Sequence, residues 1–459
     1  MKRDLDILNG SIWDKMILFA LPLAFSSTLQ QLFNAADVAV VGRFAGQEAL
    51  AAVGANAPVI NLLVNLFVGL SVGSNAVISR YIGQENPRKV SKAIHTSVCI
   101  ALISGLFLSV VGITLAKPIL NLLGTPDNIL DMAALYLSIY FSGMPFIMLY
   151  NFSAAILRSK GDTRRPLLAL SAAGVINVIL NLIFVIGFHM AVAGVALATI
   201  LSNVISSLLL VLFLTREKGD FHLSFKKLNV DFKVLKDIAA IGVPAGLQGV
   251  VFSISNVLLQ SAINRLGHVY IAANTAALNY EYIAYYLFNA FNSAALTFIS
   301  QNYAAGNFKR ARKCAGWAFV LASASGFVVN TLFILTRHQT ICLFTADPAV
   351  QKIACTRILI LLSFEFFNGC IEILSGILRG YGKSLTPTLI AILGICGLRI
   401  LMIVCMPQTG HPYEYLMWAY PISWMVTSAA LATAYWIETR HLKRSEKRYA
   451  QTGNQRVLA

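Results

Sequence analysis

The chain has 459 residues, 57% of them hydrophobic and 12% charged, with a mean hydropathy of +0.70. Soluble domains carry about 25% charged residues, so a soluble chain of this composition would present an aggregating surface, and the bilayer is its natural solvent. The formal charge of +16 would suit a nucleic-acid partner, but its placement in loops excludes one.

The N-terminal MKRDLDILNGSIWDK holds acids and no short apolar core before a small-residue cleavage site, so no cleavable signal peptide is expected. A span needs about 20 apolar residues. About twelve segments qualify, centred on Leu29, Val64, Leu106, Phe146, Val178, Ser202, Ile254, Phe288, Ala324, Phe364, Leu393 and Met425. The fold class is therefore an all-α polytopic membrane protein. The polar stretch 215–237 divides the spans six and six, giving an N-terminal lobe 1–214, a cytoplasmic linker 215–237, a C-terminal lobe 238–440 and a basic cytoplasmic tail 441–459.

Taken in order, the first span carries Pro22 and then Ser27, Gln30, Asn34 and Asp37, spaced 3, 4, 3 on one helical face. The fifth carries Ser171, Gly174, Asn177 and Asn181 on a similar face, and the sixth Thr199 and Asn203. The seventh has Pro244, then Ser253, Asn256, Gln260 and Asn264. The eighth has Glu281 among Asn279, Tyr280 and Tyr282, with Tyr285 one turn on. The tenth aligns Glu365, Asn368, Glu372 and Ser375. Seven scattered cysteines form no CxxC or Cys/His cluster and read as small buried hydrophobes.

The second half repeats the first. Residues 156–166 (ILRSKGDTRRP) match 377–387 (ILRGYGKSLTP) at an offset of 221, as do 79–89 and 300–310. Pro22 and Pro244 match at 222. An even number of spans per half makes the repeat parallel, related by an axis along the membrane normal, as in transporters whose substrate site lies between halves. Of the 36 Lys and Arg, 29 fall in the N-terminus and alternate loops; the exceptions are Arg43, Lys117, Arg265, Arg337, Lys352, Arg357 and Arg399. The asymmetry places both termini and the linker in the cytoplasm.

Four carboxylates fall at membrane depth: Asp37, Glu281, Glu365 and Glu372. Each costs about 3 kcal/mol on insertion scales and is a functional suspect. A carboxylate with amide and hydroxyl oxygens, as around Asp37, suits a hard cation such as Na⁺. It equally suits a proton, because desolvation favours the neutral acid. The bland alternative is hydrogen-bonded helix packing. Glu281 among aromatic rings suits an organic cation, or else pairs with a buried cation such as Arg399. Pro22 and Pro244 are positioned to bend their helices. The segment GILRGYGKS at 376–384 is no phosphate-binding loop, since Ile377 stands where the first Gly belongs and no strand precedes it.

These features resemble the multidrug and toxic compound extrusion family. The carriers are Leu21–Pro22, the run from Asp37 to Gly42, the turns Gly83–Asn86 and Ala305–Asn307, the loops Leu157–Arg158 and Leu378–Gly380, and the run from Gly194 to Thr199. The resemblance implies two six-helix bundles in a V around a central cavity, and cation-coupled export of organic molecules. It further implies a cation site at Asp37, Asn177, Asn181 and Thr199, and is nearest the DinF-like branch. Glu281 resembles a C-lobe acid linked to drug recognition.

The resulting expectation is an inner-membrane antiporter, not an enzyme, exporting an amphipathic cationic or polyaromatic compound against Na⁺ or H⁺. No cofactor or resident metal is expected, and the unit is a monomer. The cavity residues are expected to be Gln30, Asn34, Asn256, Gln260, Glu281, Tyr285, Glu365, Asn368 and Glu372. The alternative is a flippase for a lipid-linked saccharide, which needs a more cationic cavity. A membrane enzyme would need a convergent catalytic set that His95 and His189, near span ends, lack.

Overall fold

The structure is a computed structural model and describes residues 5–405 and 412–452. No strand occurs among the described residues. The helices of the first half are α1 Trp13–Phe44, α2 Gln47–Gly83, α3 Pro87–Thr114, α4 Ala116–Leu122, α5 Asp127–Ser142, α6 Met144–Ser159, α7 Arg164–Asn181 and α8 Ala191–Thr215. Those of the second are α9 Phe232–Asn264, α10 His268–Ala304, α11 Phe308–Thr340, α12 Pro348–Gly380, α13 Leu385–Ala391, α14 Leu398–Val404 and α15 Pro412–Thr452.

Among the described residues, nine helices are long and apolar enough to cross a membrane, or ten if α5 and α6, bent by 47°, form one broken span. The remaining expected centres, Phe288 and Met425, lie in α10 and α15, which are not among those ten. α10 is lowered in hydropathy by Asn274, Asn279, Glu281, Asn289 and Asn292. The outward faces are apolar: Ile103, Leu106 and Val110 on α3 and Val320, Phe327 and Leu335 on α11 are all exposed. Lipid, not water, is the solvent that makes this arrangement stable.

The repeat is written into the backbone. Left-handed residues recur 221 apart: Gly46 (φ +91°) and Gly267 (φ +106°), Gly161 (φ +94°) and Gly382 (φ +88°), Glu85 (φ +50°) and Gly306 (φ +76°). A tertiary hydrogen bond recurs as well. Ser79 Oγ donates to the Ser159 carbonyl at 3.3 Å, and Ser300 Oγ to the Gly380 carbonyl at 3.2 Å.

The chain forms two compact units. Unit 1 is Met1–Asp6 with Phe25–Gly246, and unit 2 is Ile7–Ala24 with Leu247–Ala459. The cuts fall inside α1 and α9, two residues beyond Pro22 and Pro244, and not at the 215–237 linker expected from polarity. In unit 1 the reason is close packing by small residues. Gly69 and Gly73 of α2 face Gly242 and Gly246 of α9, where a methyl at Gly69 would overlap the Gly246 backbone. Such paired small-xxx-small faces let membrane helices touch backbone to backbone. The first turns of α9 therefore pack with the first half.

The linker is short and tied down. Two 3₁₀ turns, Gly219–Phe221 and Phe225–Lys227, precede α9, which starts at Phe232. The Ser224 amide donates to His95 Nε2 at 3.2 Å, the Asp231 amide to Thr96 Oγ1 at 3.1 Å, and Tyr81 Oη to Asp237 Oδ2 at 2.7 Å. Glu217 bonds Lys160 at 2.9 Å and also Arg165. At the other end, α15 continues to Thr452 through most of the stretch expected as a tail. Residues Lys2, Arg3 and Arg456 lie outside the described residues.

Candidate ion-binding site and buried charge network

Three helices of unit 1 assemble the first site. Gly174 of α7 lies against the ring of Phe33 of α1, where any Cβ would overlap it. This contact brings the next turns together, Asn177 and Asn181 on α7 and Asp37 one turn beyond Phe33. Asn181 Nδ2 donates to Asp37 Oδ1 and, at 3.3 Å, to Asn177 Oδ1. From α8, Thr199 Oγ1 reaches Asp37 Oδ2 at 3.4 Å and its own helix at the Val195 carbonyl at 2.9 Å. Asn177 and Asn181 are buried, and Asn181 Oδ1 has no hydrogen-bond partner. A six-residue π-helical turn, Leu182–Gly187, follows Asn181 directly; such turns often mark functional sites.

The four residues expected to share a site are thus brought together. Their donor set fits a small hard cation: one carboxylate, two amide oxygens and a hydroxyl. Asn181 turns its amide nitrogen to Asp37, so its unpaired oxygen joins such a set only after the amide rotates, and a buried acceptor left unpaired is costly as it stands. Gln30 and Asn34 lie on the same face of α1 and are exposed; the structure gives them no bond to the cluster.

Unit 2 holds a denser charge network. Arg357 of α12 is fully buried and grips Glu281 of α10 with two parallel bonds, Nε to Oε1 at 2.7 Å and Nη2 to Oε2 at 2.8 Å. Its third nitrogen reaches Met417 Sδ at 3.0 Å. Arg399 of α14 is buried too, bonding Asn256 Oδ1 at 2.9 Å and Ser423 Oγ at 3.2 Å. Both guanidinium groups lie over the Tyr420 ring, at 5.1 and 4.4 Å. Glu281 therefore has a buried cation for a partner, but it is Arg357, not Arg399. In the sequence Arg357 stands only as one of the seven cations outside the alternate loops, with no partner assigned. The signal was its place nine residues into the apolar helix α12.

The remaining acids are also buried and bonded. Asn368 Nδ2 donates to Glu365 Oε1 at 2.7 Å, and Asn292 Nδ2 to Glu372 Oε2 at 2.7 Å. Gln260 links Asn264 at 2.7 Å and Asn274 at 2.6 Å. Tyr285 packs by its ring on Tyr286. Glu365, Asn368 and Glu372 are packed inside α10, α12 and their neighbours, with relative exposure below 9%, so they do not form an open wall of unit 2. Asn292 and Gln248, which bonds Arg379 at 2.6 Å, went unnoticed in the sequence because single amides in apolar helices carry no pattern. No cluster of three or more metal-ligating His, Cys, Asp or Glu occurs among the described residues.

The MatE family model matches residues 22–183 and 244–404. The two copies begin at the two helix prolines. The probable multidrug resistance protein YoeA of Bacillus subtilis (strain 168) is 29% identical over 403 residues, covering 85% of this chain and 86% of its own. The multidrug export protein MepA of Staphylococcus aureus (strain MRSA252) is 23% identical over 400 residues, covering 86% and 88%. A solved outward-facing multidrug resistance MATE family transporter of the MOP superfamily superposes with a TM-score of 0.89 at 22% identity, covering 97% and 99%. Together with the repeated family match over both halves, these place the fold and the kinship: the chain belongs to the MatE family of multi-pass membrane transporters.

Proposed function

We propose that this chain is a cation-coupled exporter of amphipathic organic molecules, cationic or polyaromatic, with Na⁺ or H⁺ exchanged at Asp37. The observation that supports it most is the Asp37 cluster, in which a carboxylate is held by Asn181 and Thr199 beside the unpartnered Asn181 carbonyl oxygen. An ion arriving there competes with Asn181 for Asp37, and so changes how α1, α7 and α8 are tied. Coupling requires that ion and substrate prefer different access states, and Pro22, which removes a backbone hydrogen bond inside α1, supplies a point at which that helix can bend for alternating access. The activities by which the relatives are named, multidrug resistance and multidrug export, support the substrate class. They also make the lipid-linked saccharide flippase the weaker reading.

The topology we propose has both termini and the linker in the cytoplasm, in a cell membrane, with a monomer as the working unit. The charge bias supports it more strongly once the buried Arg357 and Arg399 are removed from the loop count. The N-lobe cluster supports a DinF-like coupling mode. Transport of an organic cation in proteoliposomes, with Na⁺ and H⁺ gradients imposed separately, tests the proposal. Export driven by either gradient is the expected result; uptake or efflux indifferent to both would overturn it.

A further inference from the structure

Unit 2 carries a basic pocket that none of the residues assigned to ion coupling or to the buried charge network lines. It has a volume of about 750 Å³ and is lined by Lys309, Arg310, Arg312 and Lys443, with Phe308 and Leu8 supplying apolar wall. Arg310 is locked by the carbonyls of Ile7, Asn9 and Gly10, at 3.1, 3.0 and 2.7 Å. Arg312 is paired with Glu446 at 2.7 Å. Lys309 and Lys443 make no ion pair among the described residues and Arg310 meets only neutral carbonyls, so the pocket stays net positive.

Its depth is set by two tryptophans. Trp317 on α11 and Trp436 on α15 are exposed, at 40% and 55%, and the Arg440 guanidinium lies over the Trp436 ring at 3.4 Å. Exposed tryptophans mark the interfacial belt. Lys309 lies eight residues beyond Trp317 and Lys443 seven beyond Trp436, about 10–12 Å along a helix. The backbones of the two lysines therefore lie on the aqueous side of that belt, at the outer edge of the headgroup layer.

The repeat provides an internal contrast. At the related end of α3, the Asn86 side chain caps the Lys89 amide at 3.1 Å, and Lys89 lies over the Tyr81 ring. The linker turns cover that end through Ser224 and Asp231. Asn307 makes no such cap on α11, and the pocket stands there instead.

We propose that this pocket binds the phosphate headgroup of an anionic phospholipid, held by Lys309 and Lys443, on the cytoplasmic leaflet. The leaflet rests on the topology proposed above. Each basic residue near an anionic surface adds about a fivefold gain in affinity.

The test uses the full-length protein, delipidated in detergent and titrated with phosphatidylglycerol, phosphatidylcholine or inorganic phosphate, read by native mass spectrometry and thermal unfolding. Wild type should retain phosphatidylglycerol over phosphatidylcholine. Lys309→Gln with Lys443→Gln should weaken that retention by about 25-fold, while Arg88→Gln with Lys89→Gln leaves it unchanged. Equal retention in wild type and the 309/443 variant would overturn the site. Competition by inorganic phosphate as strong as by the lipid would overturn the lipid as its occupant. A reporter within 215–237 that reads outside would fail the topology alone; unchanged lipid affinity with a cytoplasmic reporter would fail the pocket alone.

Discussion

Glu281 and Arg357 form a two-pronged ion pair inside unit 2, with Arg357 fully buried and the two bonds at 2.7 and 2.8 Å. Removing one member of such a pair strands the other charge and costs about 3–5 kcal/mol, whereas replacing both by apolar groups is often near neutral. Glu281→Gln should therefore lower folded yield and impair export of cationic and neutral compounds alike. Glu281→Gln combined with Arg357→Met should recover folding, measured by detergent-solubilised monodispersity and Tm. If Glu281→Gln folds normally and loses cationic substrates selectively, the acid serves recognition instead.

Asp37 is predicted to behave differently. Its partners are neutral, so Asp37→Asn keeps the bonds to Asn181 and Thr199 in outline while losing the charge. The variant should insert normally and bind substrate, yet lose gradient-driven efflux. A coupling preference of about 100-fold corresponds to roughly 2.7 kcal/mol. Asn177→Ala and Asn181→Ala should weaken ion dependence less. Wild-type efflux with wild-type ion dependence in Asp37→Asn would move the coupling site to Glu365 or Glu372.

Gly246 approaches α2 so closely that a Cβ would overlap the backbone of Leu66. Neither backbone can yield as a side chain would. Gly246→Ala should destabilise by about 1–3 kcal/mol, the usual range for overpacking, and Gly246→Leu should abolish folded yield. Thermal unfolding of purified variants measures this; an unchanged Tm for Gly246→Ala would show that the helices part easily.

The linker should loosen in acid. Burial works against the charge of Glu217, but Lys160 and Arg165 outweigh it and hold its carboxyl below the ordinary glutamate range. A group depressed on folding contributes stability above its unfolded value and loses it as pH falls through the folded one. Protection of amides 216–231 against hydrogen exchange, relative to the intrinsic rate at each pH, should be steady from about pH 7 to pH 5 and fall below about pH 4. Glu217→Gln should remove that dependence; if it persists, another carboxylate controls the linker.

Topology has its own check. Reporters fused after Ala459 and within 215–237 should both read cytoplasm. An outside signal for either would overturn the six-plus-six layout.

The sequence by itself determined the repeat, most of the spans and the separate polar faces of α1 and α7, because each rests on local regularity; the grouping of Asp37 with Asn177, Asn181 and Thr199 came from the family resemblance. Apolar runs of about 20 residues announce helices in lipid, and a fixed offset of 221 carries the same left-handed turns into both halves. The i, i+4 spacing of Asn177 and Asn181 put both amides on one face, and the structure turns that face to Asp37. Only the tertiary structure decided that Glu281 answers Arg357, that Asn292 answers Glu372, and that the compact units divide inside α1 and α9. Those outcomes depend on which backbones approach across dozens of residues. At Gly69, Gly73, Gly242 and Gly246 the approach is permitted by missing side chains, and a missing side chain names no partner.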